Sequence, residues 1–396
     1  MPPTTTRRFD LLDPGSYADL DAMHEAFTWM RAEDPVHRDE ANGLWAITRH
    51  ADVVDVERRA TLFSSALGYR SFHSPGEDNM IAQDDPGHAE QRSLVARRFT
   101  PRAVQAHGAR IRAVVVELLE AVAERGRMEV VGDLAAPLPC RLTAQLLGFP
   151  EDRWPDIRSW SERLMRYDAL PREPSVGVGF VQAIGEFDAL LEEVIADRTA
   201  APADDLVSVW LGAAAAGCPM ARHTIVNETG LLISGGAETT RTVIARALAV
   251  FCDHPDQWEA VAADPGLVPG AVEEMVRWVS PLNNFFRTAT ADTEVHGTAM
   301  AAGDRVILLY PSANRDEDVF PDPFRFDVRR APNPHVAFGF GPHVCLGAPL
   351  ARLELRILLE ELTARFTGLH RLSEPDIEPN IFASAVRSFE LGFSLR

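Results

Sequence analysis

The residue types most able to do chemistry sit in one glycine-rich run, Phe338-Gly339-Phe340-Gly341-Pro342-His343-Val344-Cys345-Leu346-Gly347. Pro349 suits the first turn of a helix, so Cys345 stands just ahead of a helix N-terminus. Unpaired backbone N–H groups and the positive dipole end there favour a thiolate. The glycines allow turns closed to other residues and let a flat ligand approach closely. A thiolate held in this way is suited to binding iron, and it would push electron density across the metal toward bond cleavage on the far side. The bland alternative is a buried structural cysteine in a glycine-rich loop.

A second candidate is Ser234-Gly235-Gly236-Ala237-Glu238-Thr239-Thr240. It lies at the centre of the longest helical pattern in the chain, Thr224 to Cys252, about 43 Å at 1.5 Å per residue. That pattern is apolar nearly all round, which predicts burial. Two glycines cost a helix interior roughly 1 kcal/mol each against alanine, and a glutamate follows them, so something is expected to press against the helix here. Glu238 and Thr239 make an acid–alcohol pair able to pass protons. The alternative is Glu238 in a buried ion pair, with the Thr239 hydroxyl bonded back to a carbonyl.

Two further sets are weaker alone. Glu274 and Arg277, at i,i+3 on a helix, would ordinarily be a surface pair worth a few tenths of a kcal/mol. His88 and Arg92, four apart in Asp85-Pro86-Gly87-His88-Ala89-Glu90-Gln91-Arg92, share a helix face.

The elements that must position these residues are mostly helical. Arg110–Glu124 and Phe187–Arg198 carry apolar residues at helical spacing. Pro269–Val279 is a helix ended by Ser280-Pro281, and another starts after Gly347 with Leu355, Leu359, Leu362 and Phe366 in one stripe. Strand signals are Leu44–Thr48 after the Asn42-Gly43 turn, Thr293–His296, Arg305–Leu309, and a late pair across Phe382–Leu395. No repeat and no linker divides the chain, which predicts a single domain over residues 1–396.

Of 396 residues, 46% are hydrophobic, enough for a large core, and the net charge is −19. That balance argues against nucleic acid and against an anionic membrane surface. Cys140, Cys218, Cys252 and Cys345 are far apart, with no CxxC pair for zinc or redox exchange, and a reducing cytoplasm fits them. The N-terminus lacks the apolar stretch of a signal peptide, and no apolar run is long enough to span a membrane.

The Cys345 segment matches FxxGxxxCxG in full, and on it the chain is identified as resembling the cytochrome P-450 family. Gly235 to Thr240 resembles that family's oxygen-activation motif, and Glu274–Arg277 its ExxR, followed by Ser280-Pro281 and Arg287. Ala313-Asn314-Arg315-Asp316 and Phe324-Arg325-Phe326-Asp327 also match. The resemblance runs from about Trp29 to the end. It implies a mostly α fold with minor β, enclosing haem b, with Cys345 as the iron ligand. Cofactor contacts are then His88, Arg92, Gly235, Arg287, Phe338, His343, Cys345 and Gly347. Glu238 and Thr239 become catalytic, and Glu274 and Arg277 structural, locking the segment before the cysteine. By position in the family, Leu67, Tyr69, Phe72, Met80, Ile81, Leu231, Ser234, Asn283, Asn284, Phe285 and Ile381 line the substrate pocket. This set is mostly apolar with two amides, which suits a large apolar molecule with a polar end.

The implied activity inserts one oxygen atom from dioxygen into a C–H bond. No strand–GxGxxG–helix unit is present, so electrons are expected from a separate ferredoxin and ferredoxin reductase. Arg97, Arg98, Arg102, Arg352 and Arg356 lie in segments that the family places on the docking face. A haem protein binding a ligand without turnover, or a peroxide-driven oxidase, are the rival readings; the Glu238–Thr239 pair argues against both. The text around Glu238–Arg241, Thr290–Glu294 and His335–Gly341 is similar to the actinobacterial branch that hydroxylates steroid side chains.

Overall fold

The structure, a computed structural model, describes residues 9–218 and 220–396. The N-terminal reading falls partly on residues 1–8, outside that range. Among the described residues the helices are α1 (Leu20–Glu33), α2 (His50–Arg58), α3 (Gly87–Ala96), α4 (Pro101–Val104), α5 (Gly108–Ala123), α6 (Pro137–Leu147), α7 (Trp154–Met165), α8 (Ser175–Ala200), α9 (Leu206–Ala215), α10 (Arg222–Asp253), α11 (Pro255–Ala263), α12 (Val268–Val279), α13 (Tyr310–Ala313) and α14 (Ala348–Arg365). The strands are β1 (Val36–Asp39), β2 (Leu44–Ile47), β3 (Phe63–Ser64), β4 (Arg127–Glu129), β5 (Asn284–Ala289), β6 (Thr293–Val295), β7 (Thr298–Met300), β8 (Arg305–Leu309), β9 (Phe366–Arg371), β10 (Asp376–Ile377), β11 (Val386–Ser388) and β12 (Glu390–Leu395).

The expected long helix is α10. It packs against α6, α7 and α12, and apolar residues including Ile233, Val243, Ile244, Leu248 and Phe251 are buried. Each such side chain contributes about 1.5–3 kcal/mol relative to exposure. α5 buries Ile111, Val114, Val115, Leu119 and Val122 at the expected spacing. α8 begins twelve residues earlier than its periodic part (Ser175 against Phe187), because its glycine-containing first half leaves Val178 and Val181 exposed and so hides the pattern.

The main sheet has the order β1-β2-β8-β5-β3. β8 lies between β2, parallel to it, and β5, antiparallel to it. The late strands correct the expected pairing: β11 pairs β10, while β12 pairs β4 and β9. No described helix is long and apolar enough to cross a membrane.

Candidate active site

Cys345 lies in the loop between the short turn Gly341–His343 and α14, two residues ahead of the α14 N-cap, Gly347. Its backbone N–H donates to Phe338 O at 2.8 Å, closing the loop. The side chain is exposed, and what it is exposed to is a cavity of about 210 Å³. Burial within the protein pushes its thiol pKa up. The backbone N–H groups of Gly347 and Ala348 and the charges of Arg92 and Arg352 pull it down. Gly339 and Gly341 take φ of +68° and +69°, the left-handed region that glycine enters without strain.

One wall of the cavity is cationic. His88, Arg92, Arg287 and His343 all line it. The rings of His88 and His343 lie 4.1 Å apart between centroids. Burial first, then the charges of Arg287, His88 and Arg92, push the His343 pKa down to about 3. His88 Nε2 is buried with no hydrogen-bond partner among the described residues. Arg92 donates to Val344 O at 2.7 Å and Arg287 to Phe286 O at 2.7 Å. Two guanidinium charges on one wall, with two imidazoles able to donate beside them, gain by taking an anion. Glu57, buried at the same wall and accepting from Tyr310 Oη at 2.7 Å, has its pKa raised to about 7 by burial.

Opposite runs α10, whose two central glycines do different things. A Cβ on Gly235 would meet nothing within 4 Å, whereas one on Gly236 would meet Thr143 Oγ1 of α6 at 2.8 Å. Gly235 therefore opens onto the cavity and Gly236 admits a neighbouring helix. Thr239 lines the cavity, its hydroxyl donating to Gly235 O at 2.8 Å. Glu238 does not line it. Its carboxylate is buried against Arg241, which also pairs with Glu162 of α7. Burial raises the Glu238 pKa and Arg241 lowers it; Oε2 has no partner among the described residues. This corrects the expectation of an acid beside the alcohol, because adjacent helix residues point about 100° apart.

Glu274 and Arg277 are both fully buried and joined by bonds of 2.7 and 2.8 Å. Arg277 also donates to Asn314 O and Pro323 O. Glu274 accepts from Asp327 N and Asn333 Nδ2. Asn314 Oδ1 in turn takes the Val336 N–H at 2.8 Å. The pair thus ties α12 to the segment that leads into the cysteine loop. Having removed both charges from water, it is held by these added bonds.

A second lobe, of about 430 Å³, shares Ile81, Leu231, Gly235, Leu282 and Phe285 with the first. Of the expected pocket residues, Met80 lines the cysteine lobe, Tyr69 and Ser234 the second, and Ile81, Leu231 and Phe285 both. Five are not brought there. Leu67 is half exposed, and Phe72 packs edge-on against Tyr167 beside a separate cleft. Asn283 and Asn284 spend their amides on Asn380 O and Ile381 O, and Ile381 is buried beside the main sheet. The amides therefore anchor a loop instead of reading a ligand. A larger groove of about 1250 Å³, between α1 and the end of α10, lies away from Cys345.

A profile of the family described as Cytochrome P450 matches residues 266–391. The steroid C26-monooxygenase of Mycobacterium tuberculosis is 41% identical over 97% of each chain. The chain belongs to the cytochrome P450 family. Linalool 8-monooxygenase of Pseudomonas putida is 35% identical, over 90% of this chain and 92% of its own. A Bacillus megaterium cytochrome P450 solved with testosterone superposes with a TM-score of 0.86 at 29% identity, covering 96% of this chain and 99% of its own.

The protein is therefore an oxidoreductase of the monooxygenase kind with haem b as cofactor, and its residues fit that group. The cavity lined by Cys345 and Gly235 suits the macrocycle, and the arginines of its wall suit the two carboxylates. Phe338 and Gly347 line the same space. Sequence reasoning missed Glu57, Thr143, Val243 and Tyr310 in this P450 cavity. None carries a local signal; Glu57 reads as an ordinary surface charge at the end of α2.

Proposed function

We propose that Cys345 ligates the haem iron and that the enzyme hydroxylates a large, mostly apolar substrate, with residues 1–396 as one domain. The observation that carries this is a lone thiol, flanked by α14 N–H groups, facing a cavity with cations on one wall and a helix opening on the other. The cofactor supplies the oxidising power for inserting one atom of dioxygen into a C–H bond. The chain's own groups do the rest. His88, Arg92, Arg287 and His343 hold carboxylates. Gly235 leaves room beside Thr239. The Thr239 hydroxyl, which donates to Gly235 O in the structure, would turn to donate across that space, and Glu238, whose Oε2 has no partner among the described residues, would supply the next proton from behind it. Hydroxylation consumes dioxygen, two electrons and two protons and returns an alcohol and water.

The electrons come, in this reading, from a ferredoxin and its reductase. Arg97 and Arg102 are exposed to receive it, whereas Arg98, Arg352 and Arg356 face Asp204, Glu273 and Glu360. Local positive potential steers an acidic partner even on an acidic protein. The cytoplasm, where thiols stay reduced, suits four free cysteines. The substrate is a steroid oxidised at the end of its side chain, a reading supported by the 41% relative and by the two apolar lobes.

The test is reconstitution with ferredoxin, reductase and cholest-4-en-3-one, with mass analysis of product. Terminal hydroxylation that needs dioxygen and electrons is expected. Turnover of linalool alone would move the substrate to the terpenes. Turnover driven only by peroxide would overturn the electron-transfer reading. Retention by Cys345→His of the red-shifted carbonyl band of the wild type would overturn the ligand assignment.

A further inference from the structure

The second lobe ends at a buried charged group that none of the chemistry above uses. Arg70 is buried and lies in the wall of the lobe. Its guanidinium sits 5.0 Å from the ring of Tyr69, 5.6 Å from that of Tyr167 and 5.8 Å from that of Phe382, three rings that line the same space. Nε donates to Glu77 at 2.9 and 3.0 Å, and Nη1 to Asp168 at 2.7 Å. Among the described residues Nη2 has no hydrogen-bond partner.

Most other polar groups of the lobe are spoken for, the exception being the Tyr167 hydroxyl, which has no hydrogen-bond partner among the described residues. The Ser234 hydroxyl donates to Gly230 O, Asn227 to His223 O and Tyr69 Oη to Glu77, while the Asn79 side chain caps the turn at Met80–Ala82. We propose that Arg70 Nη2 is the head-group reader of this enzyme, donating a hydrogen bond to a neutral oxygen at the end of the substrate remote from Cys345. This rests on the apolar-substrate reading and deepens it.

Charge decides the kind of head. Arg70 already faces two carboxylates, Glu77 and Asp168, and burial pushes the Asp168 pKa up. A substrate carboxylate would add a third negative group to a buried cluster. A guanidinium has no acceptor, and its positive charge repels an ammonium from the carboxylates that it already engages. A ketone or hydroxyl oxygen offers a lone pair without adding charge. The lobes meet at Ile81, Leu231, Gly235, Leu282 and Phe285, so a molecule with its head at Arg70 threads its apolar body toward the cysteine.

The experiment crosses two proteins with two ligand pairs. Wild-type holoenzyme and Arg70→Lys are titrated with cholest-4-en-3-one and cholest-4-ene, and with heptadecan-2-one and heptadecane, by equilibrium dialysis. Lysine keeps the charge facing Glu77 and Asp168 but loses the planar fork. The wild type should bind each ketone about tenfold or more tightly than its hydrocarbon, as buried donors reject analogues lacking the acceptor. In Arg70→Lys that ratio should collapse toward unity with hydrocarbon affinity unchanged. If neither sterol binds but the chain ketone keeps its advantage, the steroid reading fails and this one stands. Equal binding of ketone and hydrocarbon by the wild type, no binding of either pair, or an unchanged ratio in Arg70→Lys overturns it. Should the variant not fold, the carbonyl stretch of ketone bound to wild type decides: a shift to lower frequency than in hydrocarbon solvent supports the bond, and no shift overturns it.

Discussion

Gly339 and Gly341 provide a matched pair of perturbations in the cysteine loop. Both have φ near +70°, so alanine at either position meets the same backbone penalty, about 1–2 kcal/mol. Their surroundings differ. A Cβ on Gly339 would lie 3.3 Å from Glu57 Oε1, the end of a side chain that can give. A Cβ on Gly341 would lie 2.4 Å from Glu57 O and 3.1 Å from Glu57 C, which are backbone atoms of α2. The loop and the end of α2 must then separate by roughly 1 Å, at an added cost of about 1–3 kcal/mol typical of overpacking. Gly341→Ala should therefore lose about 2–5 kcal/mol in total, and Gly339→Ala only the first part. Urea unfolding of both variants beside the wild type reads the difference. The carbonyl spectrum reads its consequence at the site: the Gly341 variant should lose part of its thiolate band while the Gly339 variant keeps it. Equal losses, or a larger loss at Gly339, would refute the argument that close approach of α2, and not the turn conformation alone, requires glycine at 341.

Thr239→Ala removes the hydroxyl that faces the cavity, so electron consumption should continue while product per electron falls and peroxide accumulates; unchanged coupling would rule out its proton role. Glu228 of α10 is buried with its pKa raised to about 8 by burial, and it accepts the Met80 N–H at 2.6 Å. Its folded-state pKa lies above the unfolded 4.5, so its stabilising contribution is full below 4.5 and fades as pH rises to 8. Glu228→Gln should match the wild type near pH 4.5 and exceed it by up to a few kcal/mol at pH 8.5, at about 1.4 kcal/mol per unit; parallel stability curves would refute this. Arg102→Glu should slow reduction by ferredoxin at low salt without changing substrate affinity. Arg352→Glu is a poorer probe, because Arg352 also binds Glu273 at 2.7 Å and Glu273 holds His335 at the entrance to the cysteine loop.

What could be read in advance follows from where each signal resides. α10, α12 and β8 were legible because their apolar patterns are local and strong. The cysteine loop was legible because its glycines, proline and cysteine answer to backbone geometry and metal chemistry within ten residues. β5 was not, since Asn284, Arg287 and Thr288 interrupt any apolar pattern. They are tolerated in a buried strand because distant groups such as Ile381 O satisfy them. The pairing of β12 with β4 joins segments more than 250 residues apart, beyond the reach of any local pattern. The pocket was half legible for the same reason. Met80, Leu231 and Phe285 face it by virtue of their elements, but whether Asn283 reads a ligand or a loop carbonyl depends on where residue 381 lies.

Glu238 and Thr239 are the instructive pair. A helix turns about 100° per residue, so neighbours in sequence cannot share a face, whereas Gly235 and Thr239, four apart, do. The opening and the alcohol are thus on one side, and the acid with Arg241, three residues on, is on another. Arg241 answers to two carboxylates, Glu238 and Glu162, so release of Glu238 would leave the guanidinium still paired. That makes rotation of the acid toward Thr239 cheaper than breaking a one-to-one buried ion pair, which would strand a charge. The arrangement keeps an acid out of the apolar cavity while holding it one residue from the Thr239 hydroxyl.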